Sequence, residues 1–530
     1  MSARKGIVLI VTLATISLLV ACGSSSPKPN PVGATKNSLN GTYVFSSTGV
    51  DTNSLFLAMA GTLNANGSGG ITGGTMDLIG SDIVAPSPVA QPITGGSYTI
   101  GADGRGQITI NTTTINPNTG SSEGVNFTLD FVLMSASHGL ITEYDNQGTG
   151  SGTIDLQSAV TQSQLAGSYA FGVSGTGIGS SPAPLATAGA MTLGSTGSVT
   201  VGVEDINNDG IPSFGQISTA SVVSLGATPG TATIASSAGS SFTFDVYPID
   251  STHLKLIETD GSFLMVGDAY TQATSLPTGA LVYTMAGLDT SSIPMGVGGW
   301  LNTDSNGNIL TSLEDFNDGG NVNTSPLSPG GGFAPLSTGR SQLSLTSFVN
   351  GGTNDLAGSY LFAAYPFTYS GGTGIQLLEI DGAGVTSGAV YPQTSTTLAS
   401  ANYGFNLSAF NSNGEEDDIA QFLTSSSGFN GAVDLNDLGV LTFDKTLTGS
   451  FPNSPAVDTN GRGVATTNYF SFNFYVVDSS NTILLENDSD QVGIGTFQSQ
   501  SAISAGSAAR PVASLFRPMV HPHGASKKKK

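Results

Sequence analysis

The sequence predicts an all-β protein made of four tandem antiparallel β domains of about eight strands each, and three observations lead to this class. Short runs rich in Val, Ile, Phe, Tyr and Thr recur between turns rich in Gly, Asn and Asp, which is typical of antiparallel strands. Outside the N-terminus, no long segment carries apolar residues at helical spacing. The 530 residues are too many for one ordinary core, so several domains are expected.

Internal repetition sets the predicted domain boundaries. Four segments end in similar sequences, and each ending carries a Glu-x-Asp motif. The glutamates of this motif are Glu143, Glu258, Glu379 and Glu486. The beginnings LNGTYVF, LAGSYAF, TGALVY and SANYGF also correspond. The predicted β repeats, numbered 1 to 4, span residues 39–160, 161–275, 276–396 and 397–501.

Repeat 1 illustrates the strand pattern. Its predicted strands lie near residues 41–48, 54–63, 69–77, 93–101, 106–113, 125–134, 138–145 and 149–157. Because consecutive antiparallel strands must protect their edges, an up-and-down barrel of about eight strands is the favoured form of each repeat. The alternatives are a two-sheet β-sandwich and a single propeller of about eight blades formed by the whole chain.

Residues 1–21 have the pattern of a signal peptide. Arg4 and Lys5 precede an apolar run, residues 7–20, which is too short to span a membrane comfortably as a helix. The run ends in LVAC at Cys22, the single cysteine of the chain. This stretch resembles the lipobox of bacterial lipoproteins, in which the cysteine carries lipid and becomes the mature N-terminus. The resemblance implies a membrane anchor at Cys22.

The residues after the cysteine extend this interpretation. Residues 22–38 are rich in Ser, Pro and Asn, so we expect a flexible tether. Gly23 rather than Asp follows the cysteine, and by resemblance to known sorting rules this favours the outer membrane. As a whole, residues 39–500 resemble tandem β-repeat lipoproteins of the acidobacterial type, a resemblance that implies no particular activity.

The charge balance narrows the range of partners. With 15 basic and 37 acidic residues, the chain has a net charge of −22, which argues against binding nucleic acid through its phosphates. Residues 502–530 form a predicted disordered basic tail that includes Lys527 to Lys530. We expect this tail to be solvated or to contact anionic lipopolysaccharide.

The Glu-x-Asp motif is the first candidate site. Residues two apart on a strand share a face, and paired carboxylates can act as acid and nucleophile in glycosidases. Four copies of the motif nevertheless favour a structural role. Gly-Arg pairs recur at Arg105, Arg340 and Arg462, and repeat 2 lacks one. We predict ion pairs of Glu143 with Arg105 and of Glu486 with Arg462, because a partly buried carboxylate needs such a partner.

The stretch DINNDG at residues 205–210 is a candidate calcium site. Asp205, Asn207 and Asp209 follow the D-x-N-x-D-G beginning of a calcium loop, whose alternate oxygen side chains suit this ion. The twelfth position holds Gln216 instead of the Glu of an EF-hand, and no predicted helix flanks the stretch. An Asp/Asn-rich hairpin turn is the alternative, and no other cofactor is predicted.

Together these observations predict a lipid-anchored protein of the cell envelope that acts as a non-catalytic binding or structural module. The expected partners are the membrane, through the lipid on Cys22, and a glycan or other envelope component. A carbohydrate-active hydrolase is one alternative, and it would need a cleft with two carboxylates about 5–9 Å apart. The other alternative is an adhesin-like stalk whose repeats only provide reach.

Overall fold

In the computed structural model, the described residues fold almost wholly into β-strands. They comprise residues 30–81, 90–115, 122–178, 182–226, 228–289, 291–323, 325–337, 339–346 and 359–503. Within them lie 35 strands, two short 3-10 helices (Lys36–Ser38 and Gln162–Leu165) and no α-helix. The predicted all-β class is therefore confirmed. The predicted signal peptide, Cys22 and residues 504–530 of the predicted tail lie outside the described residues.

Repeat 1 is a closed barrel. Its strands are β1 (Asn40–Asp51), β2 (Phe56–Asn66), β3 (Gly70–Gly80), β4 (Gln91–Ile93), β5 (Gly95–Ile100), β6 (Arg105–Ile115), β7 (Ser122–Ser135), β8 (His138–Glu143) and β9 (Gly148–Leu156). β1 pairs antiparallel with β2 and β9, and β3 pairs with both β2 and β5, so the wall closes. The short β4 adds to β3.

Repeats 2 and 3 each form one nine-stranded sheet whose two edge strands do not pair with each other, so each sheet is a half-barrel. The strands of repeat 2 are β10 (Gly167–Gly177), β11 (Pro184–Leu193), β12 (Val199–Asn208), β13 (Ile211–Gln216), β14 (Val222–Ser224), β15 (Gly230–Ala235), β16 (Ser241–Asp250), β17 (His253–Glu258) and β18 (Phe263–Thr271). Those of repeat 3 are β19 (Gly279–Asp289), β20 (Pro294–Thr303), β21 (Ile309–Asp318), β22 (Asn321–Val322), β23 (Gly330–Ser337), β24 (Arg340–Thr346), β25 (Ser359–Tyr369), β26 (Gly372–Glu379) and β27 (Gly384–Pro392).

A few backbone hydrogen bonds bridge the two edges of these open sheets. In repeat 2, the amide of Val199 donates to Ser221 and the amide of Val223 donates to Gly197. In repeat 3, the amide of Phe333 donates to Gly307. The third strand of each sheet thus contacts the fifth, as β3 contacts β5 in the closed barrel of repeat 1.

Repeat 4 is the second closed barrel. Its strands are β28 (Asn402–Asn411), β29 (Glu415–Thr424), β30 (Gly428–Asp437), β31 (Val440–Ser450), β32 (Arg462–Thr467), β33 (Ser471–Val476), β34 (Asn481–Glu486) and β35 (Gln491–Ser499). They follow one another around the wall in chain order, which is the predicted up-and-down topology. Because each repeat forms one sheet of its own, neither the sandwich nor the single propeller describes the chain.

Aromatic residues of the first strand fill the interior of each repeat. In repeats 1, 2 and 4 the Tyr-x-Phe spacing places two rings on one strand face, and all of these rings are at most 1% exposed. The pairs are Tyr43 with Phe45, Tyr169 with Phe171, and Tyr403 with Phe405. Full burial of each such ring stabilises the fold by about 1.5–3 kcal/mol. The interiors are therefore packed with side chains.

The four repeats form a closed ring. The first strands of each repeat pack against the last three strands of the next: β1 and β2 on β16–β18, β10–β12 on β25–β27, and β19–β21 on β33–β35. β28 and β29 of repeat 4 pack in the same way against β7–β9 of repeat 1. We name the four contacts the 1–2, 2–3, 3–4 and 4–1 junctions.

Candidate functional site

Polar residues that recur in the sequence meet at the junctions. At the 2–3 junction, Asp205 on β12 accepts hydrogen bonds of 2.6 Å from both Nε and Nη2 of Arg340, which begins β24. The hydroxyl of Tyr365 on β25 donates to the same carboxylate. Asp205 is 1% exposed, and a two-point contact with a guanidinium is among the strongest ways to hold a buried carboxylate.

The 3–4 junction repeats this arrangement with the same residue types. Asp315 on β21 accepts from Nε of Arg462 at 2.5 Å and from Nη2 at 2.8 Å. The hydroxyl of Tyr475 donates to Asp315 and lies opposite Arg462 in the strand register. The Gly-Arg pairs and the aspartates of DINNDG and LEDFND are thus two halves of one contact between neighbouring repeats.

An asparagine two positions after Asp205, after Asp315 and after their counterpart in repeat 4, Asp434, binds the next repeat. Its side-chain amide donates to backbone carbonyls at the hairpin that carries the Glu-x-Asp motif, at distances of 2.7 to 3.1 Å. The contacts join Asn207 to Glu379 and Gly384, Asn317 to Glu486 and Gln491, and Asn436 to Glu143 and Gly148. These carbonyls belong to residues at which the two strands of the hairpin end and begin, so the asparagine adds a donor at the edge of the ladder.

A glutamine at the end of each repeat makes the contact that all four junctions share. Its Nε2 atom donates to backbone carbonyls of the following repeat at 2.7 to 3.0 Å. The four residues are Gln157, Gln272, Gln393 and Gln500. The sequence reasoning missed their role, although each closes one of the four similar segment endings.

The 1–2 junction departs from this pattern. Asp77 takes the place of Asp205 and accepts a hydrogen bond of 2.6 Å from Tyr247. At the 2–3 junction Arg340 lies opposite Tyr365 in the strand register, but here the residue opposite Tyr247 is Pro229. Burial raises the pKa of Asp77 to about 8, because no guanidinium balances its charge. Apolar residues of both repeats pack around it instead.

The 4–1 junction closes the ring with more charge than the others. Arg105 contacts Asp103 at 3.0 Å, Asp434 at 3.2 Å and Asp444 at 2.7 Å. Burial opposes the charged guanidinium, yet Asp434 and Asp103 hold the pKa of Arg105 above its usual value. On the same junction, Asp417 of repeat 4 accepts from the hydroxyls of repeat 1 residues 149 and 151, at 2.8 and 2.6 Å.

The predicted ion pairs of Glu143 with Arg105 and of Glu486 with Arg462 are wrong. Arg105 binds Asp434 of the preceding repeat in the ring as well as Asp103 of its own repeat, and Arg462 binds Asp315 of the preceding repeat. Glu143 and Glu486 are buried at the ends of β8 and β34. Burial raises the pKa of Glu143 and Glu486 well above the usual value for a glutamate. A neutral carboxyl group needs no cation, and Glu486 accepts instead from the amide of Gln491 at 2.5 Å.

The aspartate of each Glu-x-Asp motif organises the hairpin turn. One carboxylate oxygen accepts from the backbone amide two positions later, and the other accepts from a backbone amide of the neighbouring strand. The four aspartates are Asp145, Asp260, Asp381 and Asp488. The two carboxylates of one motif therefore have separate structural roles: the aspartate caps the turn and the glutamate lies in the interior.

The candidate calcium residues do not surround a common point. Asp205 is bound to Arg340, Asn207 donates to repeat 3, and Asp209 occupies the tight turn with a φ of 55°. Within the described ranges, no group of three or more His, Cys, Asp and Glu side chains could hold a metal ion. The geometry favours the alternative, a hairpin turn whose polar residues join two repeats.

A histidine takes part in the 4–1 junction. His138 is fully buried, with Nδ1 at 2.7 Å from Asp155 and Nε2 at 3.0 Å from Gln498 of repeat 4. The charge of the imidazole beside it holds the pKa of Asp155 below its usual value, although burial acts in the opposite direction. No sequence signal identified this contact, because its partner lies on another repeat.

Two cavities between repeats are very small. One of about 10 Å³ lies at the 2–3 junction beside Gln376 and Ser387, and another of the same volume lies at the 3–4 junction beside Met295. A volume of this size holds about one water molecule. The described residues therefore form a ring of packed β-barrels and half-barrels joined by buried polar contacts.

No protein-family model matches the chain, and no curated protein matches it. No helix among the described residues is long and apolar enough to cross a membrane.

Proposed function

We propose that this protein is a lipid-anchored component of the cell envelope, at the outer membrane, and that its four-repeat ring acts as a non-catalytic binding or structural module. The non-catalytic part of this proposal rests on one observation: the polar residues that recur in the sequence hold neighbouring repeats together. Asp205, Arg340 and their counterparts are buried in contacts between repeats, where a substrate has no access. The ring leaves its outer surface for a glycan or another envelope component.

The packed interiors also weigh against the hydrolase alternative. A glycosidase needs space for a sugar ring between its two carboxylates, whereas buried rings such as Tyr43 and Phe45 fill the interiors. The two described junction cavities, of about 10 Å³ each, are also too small for a sugar. The closed ring weighs against the stalk alternative, because four domains that return to their starting point provide little reach.

Metabolic labelling with a radioactive fatty acid tests the anchor. We expect the full chain to be labelled and recovered with the outer membrane. Cys22→Ser should lose the label and appear in the soluble fraction, whereas Ser24→Ala, two residues away, should keep both. An unlabelled, soluble wild-type product would overturn the anchoring proposal.

The unlabelled Cys22→Ser protein then serves for binding. We expect retention on an array of envelope glycans and no turnover in a panel of glycosidase assays. Turnover of any glycan that is lost on changing a carboxylate in one repeat would replace the proposal with the hydrolase alternative.

A further inference from the structure

Repeat 4 exposes an apolar face that the rest of the described chain leaves uncovered. On β31, Val440 is 67% exposed, Leu441 is 41% exposed and Phe443 is 62% exposed. We call these three residues the β31 patch. Single exposed apolar residues are normal, but Leu441 and Phe443 lie two apart on the strand and share a face, with Val440 beside them at the hairpin turn. Neighbouring exposed apolar side chains of this size mark a contact surface.

Acidic residues outnumber basic ones around the β31 patch, where Arg105 pairs with Asp444 and the exposed Lys445 follows it. Asp444 follows Phe443 directly, and Asp437 is the register partner of Val440. The ring of Tyr144 lies 6.2 Å from that of Phe443, which brings the neighbouring Asp145 to the same region. A partner for this surface should therefore combine apolar side chains with positive charge.

The end of the described chain lies beside this surface. The amide of Ile503 donates to the carbonyl of Val32 at 3.0 Å, and the Ile503 side chain is buried in the core of repeat 1. Gln500, three positions earlier, donates to Asp103 at 2.9 Å. Asp103 contacts Arg105 and Arg105 contacts Asp444, so three side-chain contacts lead from the anchored C-terminal segment to the β31 patch.

Residues 504–530 have the composition that this surface requires. They carry Arg510, Arg517 and residues 527–530, which are all lysine, and they contain no Asp or Glu. Their apolar pair, Leu515 and Phe516, lies within about 40 Å of extended chain from Ile503, which is more than enough to reach the neighbouring strand.

We propose that residues 504–530 dock on the β31 patch of the same molecule. Leu515 and Phe516 cover Leu441 and Phe443, and the basic residues of the segment face the acidic rim. The proposal is independent of the lipid anchor and of any glycan. Two alternatives are that a second copy of the chain covers the β31 patch, or that the basic segment binds an anionic membrane. The tests below distinguish both from the intramolecular contact.

Limited proteolysis with chymotrypsin tests the contact, because Phe516 precedes Arg517 and is a good cleavage site when accessible. In the full chain we expect cleavage at Phe516 to be about tenfold slower than in Phe443→Ser, since docking hides the site for most of the time. Ile211→Ser, which removes an exposed apolar side chain of β13, should leave the slow rate unchanged. Equal rates in the wild type and in Phe443→Ser would overturn the proposal.

Hydrogen exchange gives a readout that does not depend on cleavage. Leu515→Ser combined with Phe516→Ser should speed amide exchange over residues 440–446 and leave residues 211–216 unchanged. The protection should weaken in high salt and should not depend on protein concentration. Protection that grows with concentration would indicate a second copy, and protection of residues 504–530 that requires vesicles of anionic phospholipid would indicate a membrane; either result would overturn the intramolecular contact.

Discussion

Arg340 binds Asp205 through two hydrogen bonds of 2.6 Å, although the two residues lie 135 positions apart in the chain. The contact joins repeat 3 to repeat 2, and its counterpart between Arg462 and Asp315 joins repeat 4 to repeat 3. A residue pair that recurs around the ring identifies the junctions, rather than the barrels, as the place where the sequence specifies the assembly.

Arg340→Ala should destabilise the protein strongly. The change leaves the Asp205 carboxylate buried without a cation, and breaking a buried ion pair in this way costs about 3–5 kcal/mol. Arg340→Lys keeps the charge but loses the two-point geometry, so an intermediate loss is expected. Urea unfolding monitored by circular dichroism measures both, and Lys445→Ala, at an exposed position, provides the control. A loss below about 1 kcal/mol for Arg340→Ala would contradict the assigned role.

The aspartates of the four junctions should not be equivalent. Asp205→Asn leaves Arg340 buried without its carboxylate and should cost about 2–4 kcal/mol. Asp77→Asn should cost less than about 1 kcal/mol, because this carboxyl is already protonated below its raised pKa of about 8 and keeps an oxygen for Tyr247. At pH 9 the same change should stabilise the protein. Equal losses for both variants at pH 7 would contradict this account of the 1–2 junction.

Gln393→Leu should change the fluorescence of the single tryptophan. The side chain of Gln393 donates to the carbonyls of Asn460 and Val476 in repeat 4 and accepts from the indole N–H of Trp300 at 2.8 Å. Its loss leaves a buried indole donor without a partner, so we expect a shifted emission maximum and a loss of about 1–3 kcal/mol. Gln157→Leu, at the 1–2 junction, should lower stability without the spectral shift.

Stability should fall as the pH rises from 5 to 9. Burial raises the pKa of Asp417 to about 7, of Glu379 to about 8 and of Glu258 to about 9, all above the unfolded value near 4. The folded protein holds these protons while the unfolded chain releases them. The stabilising contribution is thus complete below about pH 4 and is lost as the pH rises through 7 to 9.

Thermal unfolding at several pH values measures this dependence. We expect the midpoint to be at least about 5 °C higher at pH 5.5 than at pH 8.5. Asp417→Asn should make the dependence shallower, because the amide cannot ionise. Asp304→Asn should leave the slope unchanged, because hydrogen bonds from Asn308 lower the pKa of Asp304 and keep it ionised throughout this pH range. A midpoint that rises steadily toward pH 8.5 would show that these carboxyls are not buried as described.

The amino-acid sequence by itself determined the elements of this protein. The alternation of apolar and polar residues, and the turns rich in Gly and Asp, locate most strands of repeat 1 to within a few residues, because a strand depends on neighbours one or two positions away. The recurrence of Glu143, Glu258, Glu379 and Glu486 likewise set the repeats. These signals are local, so they can be read without a structure.

Only the tertiary structure decided which repeated residues meet. Sequence reasoning paired Arg105 with Glu143 because both belong to repeat 1, but Arg105 binds Asp434 of repeat 4 across the junction that closes the ring. The choice depends on which outer faces of two barrels come together, and no local periodicity records that. The sequence does not reveal the closure of the ring either, since four similar domains on one chain can form a line or a ring. Buried polar contacts between repeats 4 and 1, such as that of Gln500, select the ring.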